Sequence, residues 1–269
     1  MLSPIDYLKS WREWLMASRA AGQFLAGTLP FPGPALWKQQ HTNSFLLKLK
    51  NFPLDCRAKC IVDIGANVGL FSRAAELYCP AATVIAVEPS SRAFAELSQV
   101  GGARIIPVQS AVGATPGKAT LFIAEHLASS TMSPPGEYAR QVYGSVAQPS
   151  GATEEVPVVT LADLLDSHHV KKVDLLKIDV EGFEPEVLEG AGAWLGPRIE
   201  RIIIEVSVGR SNLEGGLELM RTLARKDYVL TNILDVHRSS HSPLGLVGHF
   251  DAWFVHRSLL ADYPLANHS

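Results

Sequence analysis

Hydrophobic positions divide the chain into runs of two kinds. From residue 58 onward, short and almost wholly apolar runs alternate with segments whose apolar residues recur every three or four positions. Continuous Val, Ile and Leu runs are typical of strands buried on both faces, and the segments between them have the spacing of amphipathic helices. The predicted strands are 60–65, 83–89, 104–110, 174–180 and 201–207. This alternation predicts an α/β fold, a Rossmann-like and mostly parallel sheet with helices on both faces.

The pattern changes towards the C-terminus. Two further apolar runs, 228–236 and 251–258, follow each other with only loop between them. We expect them to form an antiparallel hairpin at one edge, which gives a sheet of seven strands in all. Residues 124–152 are rich in Ser, Pro and Gly and have weak periodicity. They predict a long insertion, either a lid or a disordered surface loop.

The N-terminal part has a pattern of its own. Residues 1–20 have apolar positions at helical spacing and charged residues among them, which predicts an amphipathic helix and not a signal peptide. Residues 27–35 contain three prolines and two glycines and read as a linker. We therefore divide the chain into a helical extension with its linker, 1–50, and one domain, 51–269. The extension is expected to pack on the domain or on a partner subunit, so that a homo-oligomer could form through it.

Composition narrows the classes of partner. Of the 269 residues 47% are hydrophobic and 19% charged, and the net charge of −3 gives no electrostatic case for binding nucleic acid. The three cysteines are too few for a disulfide framework and suit a reducing cytosol, so we expect a cytoplasmic protein. No apolar run reaches the ~20 residues that span a bilayer, so no transmembrane segment is expected.

A glycine-containing turn follows the first strand, in the stretch CIVDIGANVGLF. Gly65, Asn67 and Gly69 lie in the turn, and Asp63 lies just before it. A dinucleotide pyrophosphate favours the spacing G-x-G-x-x-G, whereas the spacing here is G-x-x-x-G and the aspartate would repel a phosphate. S-adenosylmethionine has no phosphate and carries a cationic ammonium and sulfonium. An acid beside the turn therefore favours S-adenosylmethionine.

The second strand also ends in an acid. Glu88, followed by Pro89, stands at its tip, and both are candidate cofactor-binding residues. A carboxylate at this place can accept both hydroxyls of a ribose. NAD sites share this feature, so a nicotinamide-dependent oxidoreductase on the same kind of sheet remains an alternative. A structural alternative is that Asp63 caps the helix and Glu88 is merely solvated.

Six ordered blocks of sequence resemble those of the FkbM-type methyltransferases. They are IVDIGANVGLFSRAA, VIAVEPSSRAFAEL, SAVGATPGKATLF, VPVVTLADLL, LLKIDVEGFEPEVLEGA and IIIEVS, and they lie between about residues 60 and 207. The resemblance implies a class I methyltransferase domain with S-adenosylmethionine as methyl donor and, in most members, an O-methylated sugar or polyketide-type product. It also implies a donor-binding loop, a ribose-binding acid and a segment beside the adenine, which match Asp63, Gly65, Asn67 and Gly69, then Glu88, then Ser110, Ala111 and Val112.

Three carboxylates are expected on the acceptor side. Asp179 and Glu205 stand at the tips of the fourth and fifth strands, and Glu181 lies two residues after Asp179. An alcohol is a poor nucleophile, and a positioned carboxylate could remove its proton. Alternatively a divalent metal ion, with Asp179 and Glu205 as candidate ligands, could acidify the hydroxyl. The remaining alternatives are that Asp179 holds the methionine ammonium and that Glu181 caps the next helix.

Three histidines, His237, His241 and His249, lie in or beside a late loop. One of them could serve as a base, and the spacing of the first two would suit a metal only on a helix.

The sequence thus predicts an S-adenosylmethionine-dependent O-methyltransferase that acts on a sugar, a polyketide-type molecule or another small-molecule or glycan acceptor. The rivals are the nicotinamide-dependent oxidoreductase and a non-catalytic binding domain that retains the fold. Gly65→Val is expected to block the donor and to leave the fold largely intact.

Overall fold

A seven-stranded sheet forms the centre of the protein. The computed structural model describes residues 34–51, 54–100, 102–124, 149–209, 212–238 and 247–260. The elements in chain order are α1 (Pro34–Asn51), β1 (Cys60–Ile64), α2 (Leu70–Tyr78), β2 (Thr83–Val87), α3 (Ser91–Leu97), β3 (Ile105–Val108), β4 (Ala111–Val112), β5 (Gly117–Ala124), β6 (Pro149–Val159), α4 (Leu161–Ser167), β7 (Leu175–Ile178), α5 (Glu184–Gly190), β8 (Arg201–Ser207), α6 (Leu213–Arg225), β9 (Tyr228–Arg238) and β10 (Val247–His256).

The order of the strands is β3-β2-β1-β7-β8-β10-β9. The first five are parallel, whereas β10 is antiparallel to both of its neighbours. The predicted Rossmann-like sheet with a C-terminal antiparallel hairpin is therefore confirmed. The order reverses between β1 and β7, and in open sheets of this kind ligands bind at such a reversal, beyond the carboxyl ends of the strands.

Helices cover both faces of the sheet, as the apolar strands require. On one face α4, α5 and α6 pack on the central strands and enclose the larger apolar core, which contains Val62, Leu176 and Ile204. On the other face α1 and α2 enclose a smaller core around Ile61 and Trp253. Because β1 and β7 are buried from both sides, any charged residue on them needs a partner inside the protein.

Helix α1 is fastened to the domain by apolar and ionic contacts. Leu49 is fully buried in the smaller core. The ring of Phe45 stands edge-on to that of Phe71 of α2, with the centroids 5.7 Å apart. Lys38 pairs with Glu96 of α3, and Lys48 pairs with Asp235 of β9. The helix thus crosses from the α3 side of the molecule to the β9 side.

The predicted N-terminal helix and most of the predicted linker lie outside the described residues. Helix α1 begins at Pro34, within the stretch that the sequence marks as linker. The division of the chain at residue 50 stays a prediction.

A second, three-stranded sheet in the order β4-β6-β5 was not predicted. Residues 149–152, expected in a long insertion, are instead the start of β6, which pairs along β5. Residues 125–148 lie outside the described part of the chain, so the proposed lid or loop concerns residues that are not described. The predicted third strand is also shorter, since it ends at Val108 and Ala111 begins β4. Within the described ranges no helix has the length and apolar character needed to cross a membrane.

Candidate active site

The turn between β1 and α2 is held in an unusual backbone conformation. Gly65, Asn67 and Gly69 have φ values of 78°, 50° and 82°, all in the left-handed region that favours glycine. A Cβ on Gly65 would lie 1.8 Å from the carbonyl oxygen of Asp179. Residue 65 must therefore be glycine for the chain after β7 to pass this close to the turn. The expectation that Gly65→Val leaves the fold largely intact is therefore wrong.

Most N–H groups of this turn already have acceptors within the protein. The N–H groups of Gly65 and Ala66 both donate to the carbonyl oxygen of Val87, at 3.0 and 2.9 Å, and the N–H of Gly69 donates to the carbonyl of Ala66. The N–H of Asn67 donates to Glu88 Oε2 at 2.9 Å. An anion that needs several free N–H donors would find few of them here.

Glu88 joins the turn to the end of β2. Its Oε1 accepts the N–H of Ser90 at 2.9 Å while Oε2 accepts the N–H of Asn67. Burial raises the pKa of Glu88 to about 7, although these two hydrogen bonds oppose the shift. Each oxygen keeps a second lone pair for a ligand hydroxyl. The ribose-binding role of Glu88 stays a prediction.

Asp63 is enclosed by the protein. None of it is exposed, Ser72 donates its hydroxyl to Oδ2 at 2.6 Å, and the ammonium of Lys177 lies 3.5 Å from Oδ1. Burial raises the pKa of Asp63, and Lys177 and Ser72 oppose that shift. Direct contact with a donor, as the sequence predicts, would require the turn to move. In this conformation the charge of Asp63 acts through Lys177.

The residues predicted to border the adenine lie where the two sheets meet. Ser110 is buried, and its Oγ lies 2.8 Å from the carbonyl oxygen of Ala111 and 3.0 Å from that of Pro157. Ala111 and Val112 pair with β6, and Pro89 is half-buried beside Glu88. The structure brings this segment to the same end of the sheet as Glu88, and its binding role stays a prediction.

A row of acids crosses the sheet on the other side of the reversal point. Asp179 follows β7 directly and its side chain is 39% exposed. Since Ile178 pairs with Ile204, Asp179 comes next to Glu205, which in turn pairs with Asp251 of β10. Burial, and then the nearby carboxyl of Glu181, raises the pKa of Glu205 well above its usual value. The structure therefore brings Asp179 and Glu205 together, as the sequence predicts.

The turn after Asp179 is strained and is fastened by a buried acid. Glu181 has φ 57°, in the left-handed region, and burial together with the charge of Asp179 raises its pKa to about 8. Glu184 accepts the N–H groups of Val180 and Gly182 at 3.1 and 3.2 Å. Strained backbone of this kind persists only where its surroundings hold it, and it is common at active sites.

Two of the three histidines named from the sequence, His237 and His249, lie next to the acid row. His237 is part of β9 and stacks on His249, with the ring centroids 4.4 Å apart. His249 Nε2 is 3.8 Å from Glu205 Oε2, and burial, followed by the nearby His237, lowers the pKa of His249 to about 4. His241 lies outside the described residues. Across the described ranges, no three His, Cys, Asp or Glu side chains are grouped so that they could hold an ion. The metal role of Asp179 and Glu205 stays a prediction.

Sequence reasoning missed three members of this site: Lys177, Asp251 and Ser72. Lys177 could have been found from the sequence, because it is the one charged residue in the buried strand LLKI and a buried charge needs a partner. Nothing in the local sequence marks Asp251 or Ser72 as a member of the site, since their neighbours come from strands and helices that are distant along the chain.

The fold and the site together define a Rossmann-like α/β domain with acids at the carboxyl ends of β2, β7 and β8. Comparison with known families gives the same class, because the Methyltransferase FkbM domain matches residues 63–230. The chain belongs to this family.

Curated relatives are similar over about half of the chain. The 31-O-demethyl-FK506 methyltransferase FkbM of Streptomyces tacrolimicus is 34% identical over an alignment of 170 residues, and the match covers 54% of this chain and 64% of the relative. Methyltransferase sdnD of Sordaria araneosa is 28% identical over an alignment of 172 residues, with coverage of 54% of this chain and 65% of that protein. The match thus spans just under two thirds of each relative's length.

Solved structures show more distant likeness. Fibrillarin of Aeropyrum pernix, in complex with natively bound S-adenosyl-L-methionine, has a TM-score of 0.44 at 15% identity, and the match covers 79% of this chain and 74% of that one. The precorrin-6y C5,15-methyltransferase of Geobacter metallireducens has a TM-score of 0.41 at 13% identity, with coverage of 80% and 87%.

Proposed function

We propose that the protein is an S-adenosylmethionine-dependent O-methyltransferase whose acceptor is a hydroxyl of a small molecule, such as a sugar or a polyketide-type compound. The observation that carries the proposal is the use of the turn's N–H groups. Gly65, Ala66 and Asn67 donate to Val87 and Glu88, which leaves little for a pyrophosphate to bind. This favours a donor without phosphates over a nicotinamide dinucleotide.

The residues around the turn fit such a donor. Glu88 would accept the ribose hydroxyls with the lone pairs that its two N–H bonds leave free. The carboxylate of Asp179 suits a cationic ligand, because it places negative charge at the crevice. When bound, S-adenosylmethionine supplies an electrophilic methyl group on a sulfonium.

On the acceptor side the chain supplies a base. Asp179, whose side chain is 39% exposed, would accept the proton of the acceptor hydroxyl. In the same step the hydroxyl oxygen would bond to the methyl carbon and the bond from this carbon to sulfur would break, with S-adenosylhomocysteine as the leaving group. Glu205 and Glu181 would hold the same acceptor by hydrogen bonds, since their raised pKa values favour the protonated form. Most of the rate gain would come from holding the oxygen and the methyl carbon close and aligned.

O-methylation is also supported by a relative. The name of the Streptomyces tacrolimicus protein describes methylation of a 31-O-demethyl compound, which is transfer to an oxygen. The match spans 64% of that protein's length, so its substrate is a guide to the acceptor class only.

Calorimetry with S-adenosylhomocysteine and with NAD tests the choice of cofactor. We expect micromolar binding of the first and none of the second, and the opposite result would favour the oxidoreductase.

Turnover is then measured with labelled donor and a panel of hydroxylated acceptors. Asp179→Asn should lose about 10²–10⁴-fold in turnover and keep its affinity for S-adenosylhomocysteine. Glu155→Gln, at an exposed carboxylate on β6, is the matched control and should behave as wild type. Donor binding without product from any acceptor would favour the non-catalytic domain.

A further inference from the structure

Lys177 lies between the core of the protein and the acid row. Its side chain is 9% exposed, with Nζ 3.1 Å from Asp179 Oδ2 and 3.5 Å from Asp63 Oδ1. Asp63 is its direct partner in the pairing of β1 with β7. The ring of Phe71 closes another side, with its centroid 5.6 Å from Nζ. One ammonium group therefore joins a carboxylate inside the protein to a carboxylate at the crevice.

The lysine stays charged in this position. Burial disfavours the ammonium, but the carboxylates of Asp179 and Asp63 outweigh burial and raise the pKa of Lys177. A charged ammonium has no lone pair, so Lys177 can be neither the nucleophile nor the base of a methyl transfer. Its three N–H donors can only hold other groups in place.

The two carboxylates that Lys177 joins differ in how firmly they are held. The Asp63 end is fixed, because Ser72 of α2 donates a hydrogen bond to the same carboxylate and no part of Asp63 is exposed. The Asp179 end is 39% exposed, and the lysine donates to its Oδ2. Among the described residues no hydrogen bond to the second oxygen of Asp179 is found, so this oxygen can accept one from a ligand.

Many titratable groups surround Asp179. The charged and titratable groups that face it lie on four elements: Asp63 on β1, Glu205 on β8, Asp251 and His249 on β10, and Glu181 and Glu184 in and after the following turn. Those of these carboxylates that are ionised would repel the Asp179 carboxylate and push its side chain outward, and the ammonium of Lys177 opposes this by its contact with Oδ2.

We propose that Lys177 is a positioning residue of the methyl-transfer site: anchored by Asp63, its ammonium fixes one oxygen of the Asp179 carboxylate and directs the other towards the acceptor hydroxyl. This inference rests on the proposed function. It differs from a structural role, because it requires turnover to fall even when the fold is stable and the donor binds.

The test uses Asp63→Asn as its background. In Lys177→Met alone the buried charge of Asp63 would lose its partner, and the variant could fail to fold for that reason. Asp63→Asn removes this charge but keeps an amide oxygen that can accept a hydrogen bond from the ammonium, so Lys177 keeps an anchor in this background. Lys177→Met is added to it, and the double variant is compared with the Asp63→Asn single variant. We expect an about 100-fold lower kcat, a KM for the acceptor within about threefold, and equal affinity for S-adenosylhomocysteine. Lys118→Met, at an exposed ion pair on β5, is the matched control.

A crystal structure of the double variant gives a readout that needs no acceptor. We expect the Asp179 carboxylate to leave its present place or to occupy more than one. An unchanged single position of Asp179, or a kcat within about threefold of the Asp63→Asn variant, would overturn the inference. Wild-type protein that binds no S-adenosylhomocysteine would instead show that the proposed function itself is wrong.

Discussion

The carboxylate of Glu88 accepts the backbone N–H of Asn67 at 2.9 Å and so joins the tip of β2 to the turn after β1. The two residues are neighbours because β1 and β2 pair in parallel, Ile64 with Val87, and end at the same edge of the sheet. A change in the charge of Glu88 therefore acts on both loops that would hold a donor.

Donor affinity should depend on pH through this carboxylate. The pKa of Glu88 is raised to about 7, so the ionised form that accepts ribose hydroxyls predominates only above that pH. We expect the affinity for S-adenosylhomocysteine to fall by about tenfold for each pH unit below 7. Calorimetry between pH 5.5 and 8 measures this.

Glu88→Gln supplies the control for that prediction. Its affinity should be lower at pH 8 and should no longer change with pH through this group. The same shift affects stability: a raised folded-state pKa contributes stability below the unfolded value, and this contribution is lost as the pH rises through about 7. The variant should therefore gain stability relative to wild type above pH 7. An affinity profile of wild type that is flat across this range would contradict the role of Glu88.

Gly65→Ala should destabilise the fold itself. A Cβ at this position meets the Asp179 carbonyl oxygen at 1.8 Å, and the backbone there has φ 78°. We expect a loss of about 3 kcal/mol or more in the free energy of unfolding, or no soluble protein. Gly117→Ala is the matched control, because a Cβ at Gly117 has no atom within 4 Å, and its effect should be within about 0.5 kcal/mol. Equal denaturation midpoints for the two variants would refute this reading of the turn.

Helix α1 should contribute to the stability of the domain. Leu49 is 0% exposed and Leu47, on the same helix, is 61% exposed. We expect Leu49→Ala to lower the free energy of unfolding by about 2–5 kcal/mol and Leu47→Ala to change it by less than about 0.5 kcal/mol. Chemical denaturation followed by circular dichroism measures both. Equal effects of the two substitutions would mean that α1 does not pack on the domain as described.

Much of the fold could be predicted from local pattern. The runs that became β1, β2, β7 and β8 were predicted from their composition, because strands buried on both faces are nearly continuous in apolar residues. The antiparallel hairpin was predicted because the sequence between its two apolar runs has the character of a loop. The second sheet could not be predicted in this way, since β6 is partly polar and its pairing with β5 connects segments on either side of residues 125–148.

The candidate site, like the fold, could be predicted from the sequence only in part. The sequence by itself determined which acids stand at strand ends, because in a parallel sheet those ends meet at one edge, and it placed Glu88, Asp179 and Glu205 there. Only the tertiary structure decided what each acid contacts. It enclosed Asp63 behind Ser72 and gave it Lys177 as a partner, and it made Gly65 a packing requirement. The physical reason is that charge pairing and close backbone approach depend on distances between residues far apart in the chain, which the local pattern of hydrophobic and polar positions does not contain.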